Sequence, residues 1–381
     1  MMTTSLPYRI LREGDPAPWF EEQTLAGSSF HFDIAAGRYV LLCFFGSASV
    51  PMAASALQAV SRHAHLFDDE RLCFFGVTCD PADALNRRIA ESYPGIRFFL
   101  DYSGKVSQLY GAVPEEATQS SSVPVRCLWV LIDPTLRIEK IWTLEETGAT
   151  HQAVFEKLAT LPKPGFHAGF EVHAPILILP NVFDSGFCHD LMDLYDRNGG
   201  EDTGFMTSVN GKTVGKLDFN HKRRKDFLIE DPEWIRLTQK WVQRRVIPEI
   251  KKVHHFEVTR MERYLIGCYA AEDGGHFRAH RDNTTAGTAH RRFAVSINLN
   301  DDFDGGEVSF PEYGSRSYKA PAGGAVVFSC SLLHAVSKVT RGRRYAFLPF
   351  LYDEAASQIR EKNNALLDEA VEAYDPNKAL V

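Results

Sequence analysis

The run His276-Phe277-Arg278-Ala279-His280-Arg281-Asp282 reads as an extended segment that ends in a pair of metal-binding side chains. Along a strand, residues i and i+2 project to the same side, so His280 and Asp282 converge on one point while Arg281 turns away. His334 lies 54 residues after His280, and Arg344 ten residues after His334. Two imidazoles and one carboxylate can occupy one face of a divalent metal ion and leave the opposite positions open, the donor set of a non-haem Fe(II) centre. Supplying His334 from a distant strand of the same sheet or barrel lets a rigid scaffold fix all three. Arg344 opens Arg344-Tyr345-Ala346-Phe347-Leu348-Pro349-Phe350, a strand expected to pair beside the one carrying His334. A guanidinium there can hold a carboxylate through two parallel hydrogen bonds.

The pair alone discriminates little. The chain has 14 histidines, and His-x-Asp recurs at His31-Phe32-Asp33. No distal His and Arg accompany that copy, which is expected to be a turn. His276 is expected to line the pocket or hydrogen-bond rather than to ligate, and His254, His255 and His290 to be structural or exposed.

The wider context is specific. Between Arg263 and Asp353 come, in order, Cys268-Tyr269; Gly274-Gly275-His276-Phe277 running on to Asp282-Asn283; Asn298-Leu299-Asn300; Gly305-Gly306-Glu307-Val308-Ser309-Phe310-Pro311; Pro321-Ala322-Gly323-Gly324-Ala325-Val326-Val327-Phe328; His334; and Gly342-Arg343-Arg344-Tyr345. This segment resembles the prolyl 4-hydroxylase-like branch of the 2-oxoglutarate/Fe(II) dioxygenases. The resemblance implies that His280, Asp282 and His334 are catalytic iron ligands, that Arg344 binds the distal carboxylate of 2-oxoglutarate, and that Tyr269 lines the same pocket. Arg343 is the rival of Arg344, and strand alternation turns only one of them inward. The resemblance further implies Fe(II), 2-oxoglutarate as co-substrate, ascorbate as an optional addition, and O2. A C–H bond of an unidentified substrate would be hydroxylated with release of succinate and CO2. A prolyl residue, another side chain and a small molecule all stay open as substrates, because specificity resides in loop shapes.

Before residue 161, strand-like runs alternate with helical ones. Strands are expected at Tyr39 to Phe45, Leu72 to Thr78, Arg97 to Leu100, Cys127 to Ile132 and Ile138 to Trp142; helices are expected at Met52 to Phe67, Ala82 to Ser92 and His151 to Leu161. Such alternation argues for a mixed sheet with helices on both faces. Gly14-Asp15-Pro16-Ala17-Pro18-Trp19-Phe20, Phe44-Phe45, Gly76-Val77-Thr78-Cys79-Asp80, Tyr110-Gly111, and Arg126 ahead of Val130-Leu131-Ile132-Asp133-Pro134 carry a second resemblance. They are similar to the peroxiredoxin domains of the alkyl hydroperoxide reductase class, with a thioredoxin-like fold. That family requires a thiolate at the start of the helix after the first long strand. Here the stretch is Gly46-Ser47-Ala48-Ser49-Val50-Pro51-Met52-Ala53-Ala54-Ser55, without a cysteine. A hydroxyl cannot cycle through a sulfenic acid, so this domain is expected to lack peroxidase activity. Cys79 is the one thiol left to weigh for redox work, against the plainer role of a buried small hydrophobe.

Leu161-Pro162-Lys163-Pro164-Gly165 disfavours both helix and strand and marks a boundary. The expected organisation is an α/β thioredoxin-like domain over 1–161, a linker over 162–170, a double-stranded β-helix (jelly-roll) domain with helical buttresses over 171–353, and a C-terminal helix over 354–381. Asp184 or Ser185 should cap a helix through Tyr195, and Pro232 to Lys251 should form another. The basic run His221-Lys222-Arg223-Arg224-Lys225 is expected to be a solvated loop, with a substrate-gripping lid as the sharper alternative. The polar, glycine-bearing stretch before it would let that region move.

With 381 residues, 44% of them apolar, the chain can build two cores. A formal charge of −7 gives no general reason to expect nucleic acid or membrane as partner. Met1 to Arg9 lacks the continuous apolar stretch of a signal peptide and no later run reaches membrane-spanning length, so neither a signal peptide nor a membrane span is expected. Seven cysteines without a Cys-x-x-Cys pair fit reduced core thiols, hence a cytoplasmic location. The expected partners are 2-oxoglutarate, O2 and the unknown substrate, with homodimerisation open. Two alternatives stay open: a non-catalytic binding protein responsive to metal and 2-oxoglutarate, and a thiol redox enzyme using Cys79.

Overall fold

The computed structural model describes residues 7–116, 125–145, 149–371 and 373–374. The chain divides into two compact units: Met1–His173 with Pro311–Gly314, and Ala174–Phe310 with Ser315–Val381.

The first unit is built on a five-stranded mixed sheet in the order Ile96–Leu100, Leu72–Thr78, Tyr39–Gly46, Leu128–Ile132, Ile138–Thr143. The first three strands run parallel, and the last two join antiparallel. Tyr39 through Phe45 is buried at every position, as a central strand covered on both faces must be. The helix Pro51–Arg62 starts with proline in its first turn, where no amide partner is missed. It turns Ala53, Ala56, Ala59 and Val60 inward, small residues that let its backbone approach the sheet. The helix expected from Ala82 to Ser92 is shorter than its pattern, covering Pro81–Leu85. Arg87 adopts a left-handed conformation with φ 54°, and the Arg88 amide turns back to the Asp83 carbonyl at 2.9 Å.

Among the described residues, the second unit carries two large antiparallel sheets and a separate two-stranded hairpin. The smaller has the order Lys222–Arg223, His276–His280, His334–Val336, Val308–Ser309, Ser317–Tyr318. The larger has nine strands, with Arg343–Phe347 between Phe293–Asn298 and Leu265–Ala270. Residues 222–228 take part in both: Lys222 and Arg223 pair with Phe277 and His276, whereas Lys225 to Leu228 pair with Cys268 to Leu265. Sheets on this plan fit the expected jelly roll. The helix Ser185–Asn198, capped by Asp184 whose carboxylate accepts the Phe187 amide at 2.8 Å, packs Phe187, Cys188, Leu191 and Tyr195 into the core. Burial of each large side chain contributes about 1.5–3 kcal/mol. The helix expected over Pro232 to Lys251 is two, Pro232–Arg245 and Ile247–His254, since Pro248 has no N–H to continue the ladder.

The C-terminal helix is also corrected. It spans Glu354–Lys362 and gives way to a 3-10 turn, Asn363–Leu366. Residue 372 and residues 375–381 lie outside the described residues. Among the described residues, no helix is long and apolar enough to cross a membrane.

Candidate metal centre

His280 ends its strand and sits opposite His334 in the register of the neighbouring antiparallel strand. Asp282 follows two residues later, with its amide held by the Cys330 carbonyl at 3.0 Å. Ligand atoms of His280, Asp282 and His334 all lie within 4.8 Å of one another. One carboxylate oxygen is 3.5 Å from His280 Nε2 and the other 3.3 Å from His334 Nε2. The imidazoles are oriented by their outer nitrogens. His280 Nδ1 meets the Arg278 carbonyl at 2.7 Å and His334 Nδ1 the Leu332 carbonyl at 3.0 Å. A carbonyl only accepts, so each Nδ1 carries the proton and each Nε2 presents a lone pair to the shared point. Arg281 turns away as alternation requires, its Nη1 donating to the Ser331 carbonyl.

Aromatic walls fix the rings. Phe277 stacks on His280 at 3.6 Å between centroids, and Phe328 stands 4.6 Å from His334. Burial, then the neighbouring His280, pushes the His334 imidazole down to about 4, leaving it neutral near neutral pH. Burial acts to raise the Asp282 carboxyl, but His334, His280 and Arg291 outweigh it and hold the group well below the ordinary carboxylate range. The trio thus offers an imidazole nitrogen from each of His280 and His334 and one anionic oxygen donor from Asp282.

Arg344 is placed differently from expectation. Its strand belongs to the larger sheet, pairing with Leu265–Ala270 and Phe293–Asn298, not with the strand of His334. Strand neighbours follow from long-range packing, which the local run does not encode. Paired residues share a face: Ser296 pairs with Val326 and Ala294 with Phe328, so Ser296, Asn298 and Phe328 point the same way. Phe328 touches His334, and Arg344 donates to Ser296 Oγ at 2.7 Å and Asn298 Oδ1 at 3.0 Å. The face of the larger sheet that holds Arg344 is therefore the face that meets the imidazoles. Arg344 is 2% exposed, its Nη1 has no hydrogen-bond partner among the described residues, and both its bonded partners are neutral. Burial, with Arg224 adding to it, pulls its pKa below the ordinary guanidinium value. Arg343 is exposed and paired with Glu272 at 2.5 Å, so Arg344 is the inward member. Tyr269 lies opposite Arg344, also buried.

The basic run is neither solvated loop nor lid. Lys222 and Arg224 are buried, and Arg224 forks onto Asp226 at 2.5 and 2.7 Å. Alternation of Lys222, Arg224 and Asp226 on one strand face was the signal available in the sequence, hidden by the composition of the run. The preceding stretch forms a hairpin, Phe205–Val209 with Lys212–Lys216. Another missed residue is His221, whose ring stands 6.3 Å from that of His280 and 4.4 Å from that of Phe205. His276 bonds to the Gly274 carbonyl at 2.8 Å, His290 is buried 3.1 Å from Glu262, and His31 is 3.5 Å from Glu21.

In the first unit, Ser47 donates to Asp80 at 2.6 Å and lies 2.7 Å from Ser49 Oγ. Cys79 is partly buried, 3.4 Å from Ser107 Oγ, and burial pushes its thiol up to about 11. This is the reverse of what a reactive thiolate needs. Arg126 packs over the Tyr8 ring at 5.1 Å.

Residues 263–352 match the 2OG-Fe(II) oxygenase superfamily, and residues 13–141 match the AhpC/TSA family. A PKHD-type hydroxylase of Synechococcus sp. (strain JA-2-3B'a(2-13)) is 36% identical over 89 residues, 22% of this chain and 39% of that protein. One of Cupriavidus metallidurans is 41% identical over 85 residues, 20% of this chain and 37% of that protein. The chain thus spans less than two fifths of the length of these curated relatives. Among solved structures, a Trichoplax adhaerens prolyl hydroxylase in complex with a hypoxia inducible factor peptide is 15% identical, covering 55% of this chain and 96% of its own, with TM-score 0.39. The peroxidoxin BcpB of Mycobacterium tuberculosis is 17% identical, covering 40% of this chain and 100% of its own, with TM-score 0.33. By sequence, then, the chain matches the AhpC/TSA family in its first unit and the 2OG-Fe(II) oxygenase superfamily in the second.

Proposed function

We propose that this protein is an Fe(II)- and 2-oxoglutarate-dependent dioxygenase of prolyl 4-hydroxylase-like type, hydroxylating a C–H bond of a substrate yet to be identified. The observation that carries this is a juxtaposition: three convergent donors on one sheet and, on the facing sheet, a buried guanidinium whose Nη1 has no partner among the described residues. An uncompensated buried charge is costly, and a carboxylate-bearing ligand held beside the metal would answer it.

His280, Asp282 and His334 would hold Fe(II), and Arg344 would take the distal carboxylate of 2-oxoglutarate with Tyr269 beside it. When bound, Fe(II) with 2-oxoglutarate and O2 supplies the oxidising chemistry that puts one oxygen atom on the substrate as 2-oxoglutarate becomes succinate and CO2. The chain's own share is preparation of the site. The Arg278 and Leu332 carbonyls fix which imidazole nitrogen faces inward, Asp282 stays ionised, and Ser296 and Asn298 aim the guanidinium. Phe277 and Phe328 keep water from the imidazole faces. The first unit lacks a thiol where peroxide chemistry requires one, and the high pKa of Cys79 disfavours a redox alternative.

The full chain with Fe(II), O2 and 2-oxoglutarate, with or without ascorbate as reductant, should form succinate, and His280→Ala should abolish it. Tight binding of 2-oxoglutarate without any succinate, with candidate substrates present, would instead favour a binding protein.

A further inference from the structure

Arg224 stands where the chain passes from the smaller sheet to the larger, between the pairings of Arg223 and Lys225. Its fork onto Asp226 uses Nε and Nη2, and Nη1 reaches the Tyr269 hydroxyl at 3.2 Å. Asp226 is anchored in turn. It lies 3.6 Å from Lys222 Nζ and 3.7 Å from Arg263 Nη2, and accepts from Thr203 Oγ1 at 2.5 Å. Lys222 also donates to Thr203 Oγ1 at 2.7 Å and to the Gly204 carbonyl at 2.8 Å. The strand below makes room for the pair: a Cβ on Gly267 would meet Arg224 Cδ at 2.9 Å and Asp226 Oδ1 at 3.1 Å. Gly267 is two residues before Tyr269 on the same face.

The consequence is directional. A phenol has a single O–H proton, and a guanidinium only donates. Tyr269 therefore accepts from Arg224, and its own proton must be given elsewhere. Arg344, its register partner, has its guanidinium carbon 5.2 Å from the Tyr269 ring and, among the described residues, keeps Nη1 without a partner. Two donors, the Tyr269 O–H and Arg344 Nη1, are left for a group that can only accept.

We propose that Arg224, locked by Asp226 over Gly267, is a positioning residue that fixes the Tyr269 hydroxyl as a donor and so restricts the Arg344 pocket to an ionised carboxylate. This rests on the functional reading above and deepens it. A ligand ending in an amide carries N–H groups that a donor-only wall cannot satisfy. Without Arg224, the phenol can rotate and accept from the amide, and selectivity falls.

The test is anaerobic calorimetric titration of the Fe(II)-loaded full chain with 2-oxoglutarate and with its analogue bearing an amide in place of the distal carboxylate. The intact protein should prefer the diacid by roughly a hundredfold, the effect of one charge-assisted hydrogen bond gained and one donor clash avoided. Arg224→Gln combined with Asp226→Asn removes both charges of the fork together, while Lys222 keeps its hydrogen bonds to Thr203 and the Gly204 carbonyl, and should reduce that preference to below about tenfold. In a Tyr269→Phe background the same pair of substitutions should change the preference by less than about twofold. Gly267→Ala, which displaces the pair without removing it, should act in the same direction, and covers the case in which the double variant fails to fold. An unchanged preference in both Arg224→Gln/Asp226→Asn and Gly267→Ala, or equal losses with and without the Tyr269 hydroxyl, overturns the positioning role while leaving 2-oxoglutarate binding intact. Absence of 2-oxoglutarate binding by the unmodified protein overturns the functional reading and this inference with it.

Discussion

Tyr269 and Arg344 are direct partners across two antiparallel strands, and the guanidinium carbon of Arg344 stands 5.2 Å from the Tyr269 ring centroid. The aromatic face lends Arg344 some electrostatic support, and Ser296 and Asn298 supply neutral acceptors. Neither neutralises it.

Arg344→Met should therefore separate stability from binding. Replacing a buried charge that lacks a counter-charge with an apolar side chain of similar length is neutral or stabilising by about 1–4 kcal/mol. The ligand-free protein should melt at the same temperature or higher, while 2-oxoglutarate affinity falls by roughly a hundredfold or more. Thermal melts beside calorimetric titration read both quantities. A large drop in melting temperature would mean that Arg344 is structural.

Metal removal has a similar signature. The unmodified chain should gain about 2.7 kcal/mol of apparent stability at a hundred times the dissociation constant of Co(II) or Mn(II). Asp282→Asn keeps the shape and loses the anionic donor, and should show little of that gain. Melts with and without chelator check this, and an equal metal response in the variant would remove Asp282 from the ligand set.

Acid stability should depend on Glu262. This carboxylate lies 2.7 Å from Arg291 Nε, 2.5 Å from Arg360 Nη2 and 3.1 Å from His290 Nε2. Burial acts to raise its pKa, but Arg291, His290 and Arg360 hold it well below 4.5. A depressed folded-state value contributes stability that is fully present above the unfolded value, near 4.5, and is lost as pH falls through the folded value. Unfolding free energy should thus decline below about pH 4.5. Glu262→Gln should flatten that limb and cost about 3–5 kcal/mol at pH 7, because buried Arg291 and half-buried Arg360 lose their counter-charge. An identical acid limb in the variant would contradict this.

Cys79 should be inert. With its thiol pushed up to about 11 by burial, alkylation at pH 7.5 should be much slower than for a free cysteine. Cys79→Ser should leave peroxide consumption at the background rate. Peroxide turnover that vanishes in that variant would restore a redox role to the first unit.

How much of this was legible before the structure depends on how local each signal is. His280 and Asp282 could be read together because two-residue periodicity on a strand is local, and the helix cap at Asp184 for the same reason. The sheet to which Arg344 belongs could not, since partner strands are chosen by packing over long sequence separations. The run at Lys222 to Asp226 misled through composition: charged residues at alternating positions looked solvated, yet those on one face are buried because each finds an opposite charge or acceptor within the unit. The early stops of the helices at Leu85 and Lys362 depended on turns that side-chain pattern does not record.

The decisive measurement is anaerobic titration of 2-oxoglutarate into the full chain, metal-free and Fe(II)-loaded, alongside His334→Ala and Arg344→Met. Tight binding of one 2-oxoglutarate per chain is expected only with metal present, and its loss in both variants although they alter opposite sheets. Equal affinity with and without Fe(II), or binding indifferent to either substitution, would show that the imidazoles, Asp282 and the guanidinium do not form one site.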